Sequence, residues 1–139
     1  MKRLQNVRWI DLPSHHDSRG VLTAVEGNID IPFNIERIFY MHHVVADRGG
    51  HAHTDTDQVI VASSGSFKVD LSDGTAVETY ELNDATKGLY VPRMVFIDLH
   101  AFSVDAVCLV LASTHYDMSK SVRSWQQYLT ALTGEPDAE

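Results

Sequence analysis

Two histidines one residue apart, His51 and His53, are the residues of this chain best placed by type and spacing to do chemistry. They close the stretch Arg48-Gly49-Gly50-His51-Ala52-His53, and Gln58 and Gly65 follow. In an extended strand, residues i and i+2 point to the same face, so both imidazoles converge on one place. A converging pair suits either a metal ion or the taking and returning of protons, because a neutral imidazole titrates at about 6.5. Tyr40 and Arg48 are near in sequence and are candidates to supply a phenolic proton and a positive charge. The plainer reading makes Tyr40 a core tyrosine with its hydroxyl at the rim and Arg48 a solvated loop charge. A second pair, His42-His43, is adjacent, so its side chains point to opposite faces and do not readily share an ion.

Elements that favour strands must position this pair. Apolar or alternating runs cover residues 7–10, 20–26, 35–45, 58–62, 67–71, 76–82, 88–91, 95–99 and 104–112. Turn signals separate them, including Gly27-Asn28, Ser64-Gly65 and the tight Ser72-Asp73-Gly74. Up to ten short strands with frequent turns predict an all-β sandwich or barrel. Only the end reads as helix: Val122, Trp125, Leu129 and Leu132 recur at spacings of three, four and three. Ser119 or Ser121 is expected to cap it and Gly134 to end it. Trp125 reads as a stacking platform or, more plainly, as the residue that docks the helix on the barrel.

Composition narrows the partners. A chain of 139 residues is the length of one domain, with a core over about 3–130 and a tail at 134–139 expected to fray. Hydrophobic residues make up 44%, enough for a full core. The net charge of −8 argues against binding nucleic acid or an anionic membrane surface. One cysteine, Cys108, excludes an internal disulfide and a cysteine-based zinc site. No run approaches the roughly 18 apolar residues of a membrane span, and nothing resembles a signal peptide, so a cytoplasmic location is expected.

His-x-His, four residues, Gln58, six residues, Gly65 matches the first signature of the cupin superfamily, with Gln in place of the usual Glu. That resemblance implies a double-stranded β-helix, or jelly roll. Metal-binding cupins carry another His five residues after a Pro. Here Pro92 is followed at that offset by Ile97, and His100 lies three residues further, on the other face of a strand. Two His and an amide are a poor donor set for metals that want three or four good ligands, so no metal or other cofactor is expected.

More specifically, the chain resembles the dTDP-sugar 3,4-ketoisomerases of that superfamily, also called WxcM-like proteins. The resemblance rests on an ordered series over residues 14–130. It comprises Asp17-Ser18-Arg19-Gly20, Ile31-Pro32-Phe33, Ile35-Glu36-Arg37-Ile38-Phe39-Tyr40, the His51-His53 stretch and Gln58, then Ala85-Thr86-Lys87-Gly88-Leu89, Pro92-Arg93-Met94-Val95, Leu109-Val110-Leu111-Ala112-Ser113 and Tyr116-Asp117. It implies a dTDP-4-keto-6-deoxyhexose substrate whose carbonyl moves from C4 to C3. The product would feed a PLP aminotransferase making a 3-amino sugar for surface polysaccharide or a secondary metabolite. It implies homodimers that exchange or pair edge strands, and no metal.

By the same resemblance, His51 is the base that shuttles a proton between C3 and C4. His53 bonds a sugar oxygen or His51 itself, and Tyr40 moves a proton between O3 and O4. Arg19 contacts the ligand, with Arg48 and Arg93 as further candidates for the phosphates. Gln58 holds a His tautomer or a sugar hydroxyl, or is a polar strand-end residue. Ser18 and His115 depart from common family residues and are expected near the sugar. His15, His16, His42, His43 and His100 are read as structural or exposed. Competing readings are a dTDP-sugar 3,5-epimerase, a non-catalytic sugar- or small-ligand-binding cupin, and a metal-dependent dioxygenase or isomerase.

Overall fold

Alternation of apolar and polar residues builds this chain into strands. The computed structural model describes residues 3–134, so the expected fraying of the tail falls outside the described residues beyond 134. Among the described residues twelve strands run in chain order: β1 (Arg8–Asp11), β2 (Ser14–Asp17), β3 (Gly20–Thr23), β4 (Arg37–Met41), β5 (Arg48–His53), β6 (Gln58–Ser64), β7 (Phe67–Ser72), β8 (Val77–Leu82), β9 (Lys87–Val91), β10 (Phe96–His100), β11 (Val107–Ala112) and β12 (Ser121–Val122). One sheet has the order β1-β9-β6-β11-β4 and the other β12-β5-β10-β7-β8, while β2 and β3 form a separate hairpin. Their pairings are all antiparallel. This is the jelly-roll architecture expected from the sequence.

The core lies between the two sheets. Ile60 and Ala62 of β6 and Cys108 and Val110 of β11 meet Phe67, Val69 and Leu71 of β7 and Ile97 and Leu99 of β10. Each large side chain buried there contributes about 1.5–3 kcal/mol. The other face of β6, with Val59 and Val61, packs under Leu12, Ile31 and Phe33. Strand β6 is therefore buried on both faces, as its continuous apolar run demands.

The helix α1 (Trp125–Thr133) covers the outside of the second sheet. Its cap is Ser124, whose Oγ accepts from the Gln127 amide at 3.1 Å, rather than Ser119 or Ser121. The correction has a simple cause: Val122 pairs with Ala52 in β12, so the chain stays extended until Arg123. Gly134 closes the helix as expected. Trp125 takes the docking role, edge-on to Phe96 with ring centroids 5.2 Å apart. The buried Tyr128 hydroxyl reaches the carbonyls of Met94 and Ser72.

Two local features differ from the runs read in the sequence. Ser14–Asp17, outside those runs, forms the hairpin strand β2, and the run at 35–45 stops as a strand at Met41, before His43 takes a positive φ of 53°. No helix among the described residues is long and apolar enough to cross a membrane.

Candidate active site

The two glycines before His51 set its aim. The register between β5 and β10 slips between Ile97 and Asp98, the mark of a β-bulge. Gly49 has φ 97°, and a Cβ there would stand 2.7 Å from the Ile97 carbonyl oxygen. Glycine alone permits that approach. Beyond the bulge, His51 and His53 project on one face, with ring centroids 5.1 Å apart and planes nearly perpendicular. Ile97 sits opposite His51 in the ladder, where metal-binding cupins place another imidazole. Among the described residues no group of three or more His, Cys, Asp or Glu is arranged to hold a metal ion.

His53 is held neutral. Burial comes first, and the neighbouring His51 and Arg37 add to it, pushing its pKa down to about 4. Its Nε2 is buried with no hydrogen-bond partner, and its Nδ1 lies 3.5 Å from the Ser121 hydroxyl on the paired strand β12. A neutral imidazole with an unspent ring nitrogen is suited to hydrogen-bond a ligand.

A cavity of about 420 Å³ opens over both histidines, lined further by Arg37, Phe39, Tyr116, Ser121 and Arg123. A second space of about 390 Å³ shares Phe39, His51 and Arg123 with it and extends to Arg48, Gln58 and Ile97. The cations are the feature that sequence reasoning missed. Neither Arg37 nor Arg123 has a carboxylate within ion-pair distance among the described residues. The Arg37 guanidinium stacks over the rings of Phe39 and Tyr116 at 5.3 and 5.5 Å, with its Nε buried and unpartnered. Arg123 donates to the Tyr116 hydroxyl at 3.4 Å. Two uncompensated guanidinium groups in a chain of net charge −8 make a place for a dianion.

The structure brings together His51, His53, Gln58 and Arg48 and leaves the other named residues elsewhere. Gln58 is buried and lines the second space, as does Arg48, whose Nε donates to Met41 Sδ at 3.1 Å. Tyr40 is on the wrong face for the role given to it: β4 turns Arg37, Phe39 and Met41 toward the interior, and Tyr40 is 62% exposed on the outside against His42. Arg19 pairs with Asp17 at 2.7 Å on the β2–β3 hairpin, away from both spaces, and Ser18 sits in the same exposed turn. Arg93 is held by Asp57 at 3.1 Å and lines neither space. His115 faces Glu36 at 3.1 Å and is also outside. His100 pairs with Asp70 on the opposite face of β10 from Ile97.

Comparison with known proteins gives one consistent result. The profile of the family described as FdtA: WxcM-like, C-terminal matches residues 5–133. A TDP-4-oxo-6-deoxy-alpha-D-glucose-3,4-oxoisomerase from Aneurinibacillus thermoaerophilus is 40% identical over 114 residues, 81% of this chain and 82% of that protein. The crystal structure of QdtA, a sugar 3,4-ketoisomerase from Thermoanaerobacterium thermosaccharolyticum in complex with TDP, superposes with a TM-score of 0.90 at 36% identity, covering 94% of this chain and 96% of that one. A 3,4-ketoisomerase from Helicobacter canadensis gives 0.89 at 31% identity, covering 92% and 98%.

Proposed function

The chain belongs to the FdtA family of WxcM-like proteins, and on that footing we propose that it is a 3,4-ketoisomerase of a TDP-linked 4-keto-6-deoxyhexose, TDP-4-keto-6-deoxyglucose. The observation that carries the reading is the cavity where two imidazoles one strand step apart meet two arginines without counterions. His51 removes the proton at C3, next to the C4 ketone, and an enediolate forms. The same imidazole returns a proton at C4, leaving the ketone at C3. A well-placed base of this kind contributes roughly 10²–10⁴-fold.

His53, neutral and with Nε2 unspent, hydrogen-bonds a sugar oxygen and helps stabilise the developing enediolate. Arg37 and Arg123 hold the diphosphate. Phe39, Ile60 and Ile97 give the interior apolar walls that limit side reactions with water. The chemistry needs acid and base groups alone, so dialysis against a chelator should leave turnover unchanged.

We assign the finer context from the family. The 3-keto product is the substrate class of a PLP aminotransferase that makes 3-amino sugars, and the enzyme works in the cytoplasm as a homodimer. Exposed Ile38 and Tyr40 on edge strand β4, and Val21 and Leu22 on the hairpin, are the apolar surfaces a second copy would cover. In that arrangement Arg19 serves a site only across the interface, and light scattering of the purified protein tests the dimer.

Proton NMR of the protein with TDP-4-keto-6-deoxyglucose in D₂O tests the activity. A 3-keto species with deuterium at C3 or C4 is the expected result. Exchange at C5 would move the reading to an epimerase. TDP binding without any exchange would leave a binding protein.

A further inference from the structure

We propose that Tyr116 is the group that carries the proton between the two sugar oxygens, the role that resemblance places on Tyr40. The inference rests on the ketoisomerase reading. Moving a carbonyl from C4 to C3 requires more than a base at carbon. As the C3–H bond breaks, its electron pair forms the C3=C4 double bond, and the former carbonyl oxygen O4 must gain a proton. The hydroxyl at C3 must lose one as its C–O bond becomes the new carbonyl. A phenol beside both oxygens balances this by giving its proton to O4 and taking the proton of O3, with no oxidant or reductant involved.

The fold removes the other phenols. Tyr40 faces outward from β4, and the interior positions on either side of it are Phe39 and Met41, which carry no hydroxyl. The Tyr80 hydroxyl bonds Glu78, Tyr90 packs with Phe33 on the outer face of the first sheet, and Tyr128 is buried on α1 with its hydroxyl on the Met94 carbonyl. Tyr116 is the tyrosine that lines the cavity with His51 and His53. It lies in the loop after β11 and is more than half exposed, so a ligand entering the cavity can reach it.

Two contacts orient it for this work. Arg37 lies over its ring, and Arg123 donates to its oxygen. With a lone pair of the oxygen engaged by a guanidinium, the phenolic proton is left for an acceptor in the cavity. The cavity's other hydroxyl, Ser121, is already beside His53 Nδ1. The same two arginines that attract the diphosphate therefore also fix the phenol.

Tyr116→Phe keeps the ring under Arg37 and removes only the hydroxyl. In D₂O, His51 in this variant still removes the C3 proton and returns a deuteron there, because His53 still stabilises the enolate. The expected result is deuterium entering C3 of recovered 4-keto substrate at a rate within about fivefold of wild type, while 3-keto product forms roughly 10²-fold more slowly. Tyr40→Phe should isomerise within about twofold of wild type. A Tyr116→Phe enzyme that isomerises at the wild-type rate overturns the assignment. So does one that loses exchange and isomerisation in equal proportion, or one whose only defect is a raised KM. If wild type itself binds TDP and shows neither exchange nor product, the ketoisomerase reading fails, and this assignment fails with it.

Discussion

Two arginines that line the cavity, Arg37 and Arg123, and two outside it, Arg19 and Arg93, differ in what faces them. Arg19 and Arg93 each have an aspartate at 2.7–3.1 Å, and that carboxylate is supplied from the same hairpin or from the neighbouring turn. Arg37 and Arg123 have aromatic rings and a phenol instead. A guanidinium already neutralised by a bidentate carboxylate has little left to offer a phosphate, whereas one resting on aromatic faces keeps its donors and its charge. Arg8 also rests on a ring, that of Tyr90, but outside both spaces, so Arg37 and Arg123 are informative because they lack a carboxylate and also line the cavity of His51 and His53.

The largest effect expected within this contrast is at the base that the cationic wall serves. His51→Asn should lower kcat by 10² or more, on the roughly 10²–10⁴-fold scale of general-base catalysis, while TDP still binds by calorimetry. Loss of binding and turnover together would shift His51 from chemistry to recognition. Next come the arginines themselves. A hydrogen bond to a charged group contributes roughly 1.5–3 kcal/mol, so Arg37→Ala and Arg123→Ala should each raise the Kd for TDP by roughly 10- to 100-fold. Unchanged Kd values in both variants would remove the dianion site from this cavity.

The same wall predicts a pH response. The folded-state pKa of His53 is near 4, well below the ordinary 6.5, with burial the main cause and the charges of His51 and Arg37 adding to it. Between those values the unfolded chain binds a proton that the native protein does not. Stability is therefore fully present above about pH 6.5 and falls as pH drops toward 4, by an amount on the order of 1–3 kcal/mol. Thermal melts of wild type and His53→Gln over that window check it. The wild-type curve should carry an extra slope that the variant lacks, and parallel curves would mean that His53 is protonated in the folded state.

How far the site can be read from sequence follows from range. The parity rule within one strand places His51 and His53 together, because both lie on β5 and need no distant information. It cannot set the phase of β4. Ile38 and Tyr40 are as apolar as Phe39 and Met41, so the alternation of that strand has no polar face to mark the outside, and Tyr40 is read inward. Arg123 comes to the site only through the pairing of β12 with β5, a contact between segments some 70 residues apart that rests on two residues of ladder. No local signal separates the two sets: Arg19 has Asp17 two residues away, but Arg37 has Glu36 beside it and Arg123 lies between Val122 and Ser124, so the fold alone tells them apart. The sheets were legible for the opposite reason. Their strands are apolar or alternating runs and their turns carry Gly, Asn or Asp, so local rules and the tertiary fold agree on where the strands lie. The helix cap was displaced because Val122 satisfies the helical spacing and the β12 ladder equally well, and pairing with Ala52 decided between them.

The smallest expected effect closes the contrast from the other side. Arg93 holds Asp57 through its Nε and Nη2 as well as through its backbone amide, and so joins the turn before β6 to the turn before β10. Arg93→Ala keeps the backbone bond and loses the two side-chain ones. The guanidinium is largely exposed, so this pair contributes no more than about 1 kcal/mol. That corresponds to a drop in Tm of roughly 2–4 °C for a chain of this size. The Kd for TDP should stay within about twofold of wild type, because nothing on Arg93 faces either cavity. A tenfold weaker Kd in Arg93→Ala with Tm unchanged would show that a carboxylate partner does not withdraw an arginine from the ligand, and the distinction between the two sets of arginines would fall.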